Sequence, residues 1–244
     1  MHKPSKFPVP PAERLGYVPS QIEAVWRVLE HAVADGLVRS LGVSNFSPRK
    51  IERLESAGLA QPVCCNQLEI HPALPMTPWV RWCLERGIAV TGFMPLGSPS
   101  RPPTCRHAGD PDLLGSPVIA AVASAHPGAT PAQVSPQRHG CTSCPAFHSP
   151  WRGTQVLLRW ALDRGTVPLP KSVTPARIAE NAAALEAPWA LSDAERAAID
   201  GLDAGHRFMR GDHVAVANAH HGAHWREVWD EEPQPGDESS APGP

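Results

Sequence analysis

The chain has 244 residues, a formal net charge of −2 and 42% hydrophobic residues. This length can bury the core of one large α/β domain, and the nearly balanced charge argues against a nucleic-acid-binding surface. The longest apolar runs are too short to span a membrane, and no signal-peptide pattern opens the chain. Six cysteines are few for a disulfide scaffold of this size. We therefore expect a cytoplasmic protein with reduced thiols.

Helix and strand patterns alternate along the chain between turn-rich, proline-containing stretches. The first predicted helix covers residues 24–36 and the second covers 47–58, with Ser47 as N-cap and Pro48 at the first helical position. Further helices are predicted over 77–87, 116–126 and 154–165, and another begins at 175. Strands are predicted at 37–45, 62–70, 88–93 and 166–170. Four strands, each followed by a helix, predict an α/β fold with a parallel sheet.

Composition divides the chain into three parts. Residues 1–24 are predicted to be an N-terminal loop region, residues 25–204 an α/β region, and residues 205–244 a C-terminal loop with an acidic disordered tail. An aperiodic run at about 135–155 interrupts the α/β region, and it is either a retained intron or a genuine loop insertion. The run contains four residues whose spacing zinc could use, His139, Cys141, Cys144 and His148. Because this pattern lacks supporting ligand context, we expect no metal site.

The stretch LPKSVTPARIAEN, residues 169–181, combines a strand end with a helix start. Thr174 is a candidate N-cap, and Pro175 suits the first helical position. Backbone N–H groups at the helix start, with Lys171 before it and Arg177 one turn later, form a candidate anion site. A phosphate monoester is a natural ligand for such a site.

Polar residues also follow the other predicted strands. They are, in strand order, Ser44-Asn45, Asn66-Gln67 with Glu69, residues 93–98, and Lys171-Ser172. In a (β/α) barrel these strand ends form one face, which holds the active site. Carboxamides from Asn45 and Gln67 could bind a planar amide such as nicotinamide, while Phe93 could stack on its ring. Any single Asn or Gln here could instead be an ordinary turn former, but four polar strand ends in register favour a site.

Four segments resemble, in order and spacing, the hallmark segments of the aldo-keto reductase family: GLVRSLGVSNFS, CNQLEIHP, MPLGS and LPKSVTPARIAEN. Members of this family are NADP-dependent reductases of carbonyl compounds built on a TIM barrel. The resemblance extends from about Val25 to Leu202, with one interruption. It implies a partial (β/α)8 TIM barrel, roughly strands 5 to 8 with their helices, whose N-terminal half is missing. It also implies a small-molecule carbonyl substrate.

The same resemblance implies NADP(H) as the cofactor and a role for each matched residue. Ser44, Asn45 and Gln67 match the positions that bind the carboxamide, and Phe93 stands where the family has a stacking tyrosine. The loop that crosses the pyrophosphate is matched by Pro95, Leu96 and Ser98. The positions that bind the 2′-phosphate are matched by Lys171, Ser172, Thr174 and Arg177. The positions that contact the adenine are matched by Glu180 and Asn181. Two cations and two hydroxyls suit a dianionic monoester.

The family's catalytic residues are largely unmatched in this chain. In the family, hydride passes from nicotinamide to a carbonyl carbon while a tyrosine, helped by lysine, aspartate and histidine, protonates the oxygen. His2 matches the histidine in the resemblance, and the alternative is that it is only a frayed terminal residue. Tyr17, the one tyrosine of the chain, does not match the catalytic position. The catalytic tyrosine, aspartate and lysine are therefore expected to be absent.

Two functional hypotheses follow from this pattern. In the first, the protein carries out NADPH-dependent reduction of aldehydes and ketones to alcohols, with impaired activity in this truncated chain. In the second, it is a non-catalytic NADP-binding or partner-binding fragment. In either case, exposed barrel edges predict self-association, and no nucleic-acid or membrane partner is expected.

Overall fold

The computed structural model describes residues 18–101, 106–126, 153–185 and 190–210, together with Asp230. The predictions for the N-terminal segment with His2, for the His and Cys residues of the insertion and for most of the acidic tail lie outside the described residues. Residues 153–155, at the end of the predicted insertion, belong to a helix.

Helices and strands alternate along the described chain, as predicted. The helices are α1 (Pro19–Ala34), α2 (Pro48–Ser56), α3 (Thr77–Glu85), α4 (Pro117–Ala125), α5 (Gly153–Asp163), α6 (Pro175–Ala183) and α7 (Asp193–Asp200). The strands are β1 (Leu41–Ser44), β2 (Val63–Glu69), β3 (Ala89–Phe93) and β4 (Val167–Leu169). A proline lies in the first two positions of α1, α2, α3, α4 and α6, where a missing N–H costs no helical hydrogen bond.

The strands form a sheet in the order β1-β2-β3-β4. β3 and β4 are parallel, with Gly92 opposite Pro168 and Phe93 opposite Leu169. The Ile70 N–H, just after β2, donates to the Phe93 carbonyl oxygen at 3.2 Å. The predicted α/β fold with a parallel sheet is confirmed. Within residues 67–208, the carboxyl ends of β2, β3 and β4 therefore lie at one edge of the sheet.

The chain divides into two compact units, the first made of residues 1–66 and 209–244 and the second of residues 67–208. In the first unit α1 packs against α2 and β1 around the buried side chains of Trp26, Ile51 and Leu54. The Trp26 indole N–H donates to the Gln61 carbonyl oxygen at 3.2 Å. This bond satisfies the polar atom of an otherwise apolar side chain in the core.

In the second unit α4 packs against α5 and α7. Its core includes Ile119, Leu157, Trp160 and Ile199, all at most 1% exposed. The Trp160 indole N–H donates to Asp200 Oδ1 at 2.8 Å, which connects α5 to α7. Apolar burial of this extent is the main source of stability for the unit.

The observed elements differ from the predicted ones by more than a few residues at three places. α1 begins at Pro19, five residues before the predicted start. The first strand begins at Leu41 rather than 37, because Leu37 and Val38 lie in the exposed turn after α1. α7 was not predicted, although Ser192 and Glu195 form a capping box at its start. No helix within the described ranges is both long enough and apolar enough to cross a membrane.

Candidate cofactor site

In the first unit, Asn45 follows β1 with an unusual backbone and side-chain environment. Its φ is 61°, a left-handed value that Asn tolerates better than most residues. Its Oδ1 atom is buried and has no hydrogen-bond partner among the described residues. A buried acceptor without a donor is costly. Asn45 Oδ1 is therefore a candidate acceptor for an N–H that the described residues do not supply.

The buried side chain of Asn66 holds the residue that follows Asn45. Asn66 Nδ2 donates to the Phe46 carbonyl oxygen at 2.8 Å, and its Oδ1 accepts from the Phe46 N–H at 3.5 Å. Paired bonds of this kind fix the backbone on the C-terminal side of Asn45, since both atoms of the amide are used. Asn66 is thus a supporting residue and Asn45 is the residue that presents an unpartnered atom.

In the second unit, the sheet brings the ends of β2, β3 and β4 together. Gln67 lies on β2 and is half-buried, and Phe93 ends β3 and is also half-buried. Phe93 at the end of β3 pairs with Leu169 at the end of β4, and the Lys171-Ser172 segment begins two residues after Leu169. The predicted positions from these three strands therefore share one edge.

The loop after β3 has a constrained backbone. Met94, Gly97 and Ser98 have φ values of 54°, 72° and 45°. Only glycine adopts such values without strain. A Cβ on Gly97 would also lie 3.2 Å from Leu113 and 3.4 Å from Phe208. Pro95 is buried, whereas Leu96 and Ser98 are half-buried, so the loop presents part of its backbone and side chains to the surface.

The buried side chain of Arg101 binds this loop within the second unit. Its Nη1 donates to the Gly97 carbonyl oxygen at 2.8 Å and to the Ser98 carbonyl oxygen at 3.2 Å. Its Nη2 forms an ion pair with Asp110, and its guanidinium lies 4.3 Å from the centre of the Phe208 ring. Burial favours a higher pKa for Asp110, but the His107 N–H, His206 and Arg101 together lower that pKa.

A buried pair of a glutamate and a histidine lies at the end of β2. Glu69 and His71 are fully buried, and His71 Nε2 lies 3.0 Å from Glu69 Oε1. The same Glu69 oxygen accepts the Phe208 N–H at 2.6 Å, and the His71 and Phe208 rings are 4.6 Å apart. Burial acts to raise the pKa of Glu69, but hydrogen bonds from His71 and Phe208 and the charge of Arg207 lower it overall. The pair therefore anchors Phe208, which in turn supports Arg101.

Cationic and hydroxyl side chains surround the start of α6. Lys171, Thr174 and Arg177 are exposed, and Ser172 is half-buried. Ser172 Oγ accepts the Thr174 N–H at 3.2 Å, which shapes the turn into the helix. Thr174 is the N-cap residue, as predicted, but its side chain makes no capping bond. Glu180 and Asn181 lie half-buried later on the same helix.

Two clusters near the candidate site were not predicted, although Glu69 itself was named among the polar residues at the strand ends. They are Glu69 with His71 and Phe208, and Arg101 with Asp110. The first had a sequence signal, because the charged Glu69 and the His71 two residues later flank Ile70 in an otherwise apolar strand pattern. The second had none, because Arg101 and Asp110 lie in a turn-rich stretch without apolar periodicity, where the sequence does not show which charged residues pair.

Comparison with known proteins places these features in a family. Residues 4–134 match the model of the Aldo/keto reductase family. Aldo/keto reductase slr0942 from Synechocystis sp. (strain ATCC 27184 / PCC 6803 / Kazusa) is 34% identical over 225 residues, covering 92% of this chain and 60% of that protein. Aldo-keto reductase family 1 member A1 from Rattus norvegicus is 34% identical over 193 residues, covering 79% of this chain and 51% of that protein.

A solved structure shows the same fold. It is MGS-M4, an aldo-keto reductase enzyme from a Medee basin deep-sea metagenome library, with a TM-score of 0.61 and 22% sequence identity over 78% of this chain and 58% of that chain. The chain thus spans between half and two thirds of the length of these relatives. Together, the family match, the curated relatives and the motifs at the strand ends show that the chain belongs to the aldo/keto reductase family.

Proposed function

We propose that the chain binds NADP(H) at the carboxyl ends of its strands, in the manner of a reductase of aldehydes and ketones. The observation that carries the proposal is the start of α6, where Lys171 and Arg177 are exposed and no described residue provides either of them with an anionic partner. Two such cations beside the hydroxyl of Ser172 suit the 2′-phosphate that distinguishes NADP from NAD.

The remaining matched residues are proposed to hold the rest of the cofactor. Ser44, Asn45 and Gln67 would each bind the carboxamide, and Phe93 would stack on the nicotinamide ring. The loop residues Pro95, Leu96 and Ser98 would contact the pyrophosphate. Thr174 would help to bind the 2′-phosphate, and Glu180 and Asn181 would contact the adenine. When bound, the reduced nicotinamide supplies the hydride for carbonyl reduction.

We further propose that these four strands correspond to strands 5 to 8 of a (β/α)8 barrel and that carbonyl reduction by the 244-residue chain is slow. The support is the order of the motifs and the fraction of its relatives that the chain spans. No tyrosine other than Tyr17 is available within these residues to protonate a developing alkoxide, and His2 alone could only orient a carbonyl. A missing general acid lowers the rate by about 10² to 10⁴.

Exposed apolar side chains support the proposal that copies of the chain associate. Val167 and Leu169 on β4 are 51% and 43% exposed, and Ile178 and Leu185 are more than half exposed. β4 also lies at one end of the strand order, and unpaired edges with apolar side chains promote pairing between chains. We expect size-exclusion chromatography to show a concentration-dependent increase in mass that Val167→Lys reduces. A monomer at every concentration would contradict this proposal.

Binding of cofactor fragments tests the phosphate site separately from the rest of the site. Adenosine 2′-monophosphate carries the proposed recognition group, whereas adenosine 5′-monophosphate does not. We expect calorimetric titration to show tighter binding of the 2′-isomer, by about tenfold, because a charge-assisted contact is lost in the 5′-isomer. Arg177→Ala should remove the difference, while Arg81→Ala, which changes another exposed arginine on α3, should leave it intact. Equal affinity for both isomers in the wild-type chain would refute the assignment.

A further inference from the structure

Arg101 uses one guanidinium group to hold two successive backbone carbonyls. The contacts from Nη1 to the Gly97 and Ser98 oxygens, at 2.8 and 3.2 Å, fix the orientation of both peptide planes. The side chain is 8% exposed and is therefore removed from solvent screening. Hydrogen bonds from a buried charged donor are stronger than those between neutral groups.

The guanidinium group is itself fixed by surrounding residues. Asp110 forms an ion pair with it, and Asp110 Oδ2 also accepts the His107 N–H at 2.9 Å. Asp110 Oδ1 lies 2.8 Å from His206 Nε2. Phe208 lies beneath the guanidinium plane, as a cation–π partner. The ion pair with Asp110, the ring of Phe208 and the two carbonyl contacts together fix the orientation of the Arg101 guanidinium.

These contacts determine where the loop can offer a donor. In a trans peptide the C=O and N–H groups point in opposite directions, so the Gly97 carbonyl that faces Arg101 directs the Ser98 N–H away from it. The next peptide has no donor, because Pro99 lacks an N–H. The left-handed φ of 45° at Ser98 is unfavourable for a residue with a side chain and has to be maintained by its surroundings.

We propose that Arg101 is a positioning residue that sets the Ser98 N–H and hydroxyl to bind a phosphate of the pyrophosphate group. This inference rests on the proposed function. Arg101 is not proposed to touch the phosphate, because its guanidinium is buried against Gly97, Ser98 and Asp110. It acts by holding the loop in the strained conformation before the ligand arrives, so binding carries no cost of ordering the loop.

The test compares two ligands that use different parts of the proposed site. NADPH requires the loop after β3, whereas adenosine 2′-monophosphate requires only the segment around α6. We expect Arg101→Gln to weaken NADPH binding by about tenfold or more, because Ser98 is no longer positioned to make its charge-assisted hydrogen bond to the phosphate, and to leave binding of adenosine 2′-monophosphate unchanged. Arg159→Gln breaks an ion pair with Asp163 inside α5 and should change neither affinity.

A conservative variant separates positioning from folding. Arg101→Lys keeps a charge for Asp110 but cannot hold both carbonyls and Asp110 together, so NADPH binding should be intermediate between wild type and Arg101→Gln. Circular dichroism establishes which variants are folded, and if Arg101→Gln is unfolded the lysine variant decides. Unchanged NADPH binding in a folded variant, or equal loss of both ligands, would overturn the inference while leaving the proposed function in place. Failure of the wild-type chain to bind either ligand would overturn both.

Discussion

At the scale of single residues, Asn45 combines an unfavourable backbone conformation with an unpartnered buried oxygen. Glycine adopts φ near 61° without strain, and it also removes the buried acceptor. Asn45→Gly should therefore leave the free energy of unfolding unchanged or raise it by up to about 1 kcal/mol, since greater freedom of the unfolded glycine opposes the gain. The same change should weaken NADPH binding.

Two titrations and one unfolding curve test this prediction. Urea denaturation measures the stability, and NADPH fluorescence measures the affinity. Adenosine 2′-monophosphate serves as the internal control, because it does not use Asn45 in the proposed site. A variant that is clearly less stable and binds NADPH as the wild type does would show that Asn45 has a structural role only.

The Glu69–His71 pair gives a prediction for pH dependence. Burial lowers the pKa of His71 below its ordinary value of 6.5, although Glu69 opposes this effect. As the pH falls below about 6.5, the unfolded chain takes up a proton at His71 that the folded chain does not, so stability decreases. Glu69, whose folded pKa lies below 4.5, adds a further loss as the pH falls below that value.

Substitution of His71 isolates its contribution to the pH dependence of the free energy of unfolding. His71→Gln keeps an N–H donor for Glu69 but cannot titrate. Between about pH 7.5 and about pH 5.5 the free energy of unfolding of the wild type should fall more steeply than that of the variant, by at most about 1.4 kcal/mol per pH unit. Urea denaturation at several pH values measures both slopes. Parallel slopes for the two proteins would contradict the depressed pKa.

At the scale of elements, the start of α7 depends on a reciprocal cap. Ser192 Oγ accepts the Glu195 N–H at 3.3 Å, and the Glu195 carboxylate accepts the Ser192 N–H at 2.8 Å. Ser192→Ala should lower the free energy of unfolding by about 1 kcal/mol. Ser124→Ala is the matched control, because Ser124 only bonds back to the Ala120 carbonyl within α4 and alanine is the better helix former. Chemical denaturation of both variants tests this prediction, and equal destabilisation would contradict the role of the cap.

The elements that local sequence signals determine were predicted well. Short apolar runs bounded by turn residues identified β1 to β4, and apolar spacing, with Pro48 and Pro175 at two helix starts, identified most of the helices. α7 was missed because its short apolar pattern is weak, although its Ser192-x-x-Glu195 cap was readable. The arrangement of the loop after β3 could not be predicted, because Arg101 obtains its support from Asp110 and Phe208. Contacts between residues distant in the sequence leave no periodic signal.

At the scale of the whole molecule, cofactor binding and turnover should be separable. The 244-residue chain should bind NADPH yet oxidise it slowly with a broad panel of aldehydes, because the proposed binding residues are present and no matched tyrosine is. NADPH absorbance measures the rate, and size-exclusion chromatography identifies the species that is assayed. Rapid turnover by a monomer of this chain would show that another residue protonates the substrate.

The most direct measurement of the central claim is the affinity of the wild-type chain for NADPH and for NADH, measured beside the double variant Lys171→Ala/Arg177→Ala. The two cofactors differ only in the 2′-phosphate that these cations are proposed to bind. We expect the wild type to prefer NADPH by about tenfold or more, and the double variant to bind both cofactors with the weak affinity that the wild type has for NADH. Equal affinities for the two cofactors in the wild type, unaltered by the double substitution, would contradict the assignment of α6 as the NADP-recognising element.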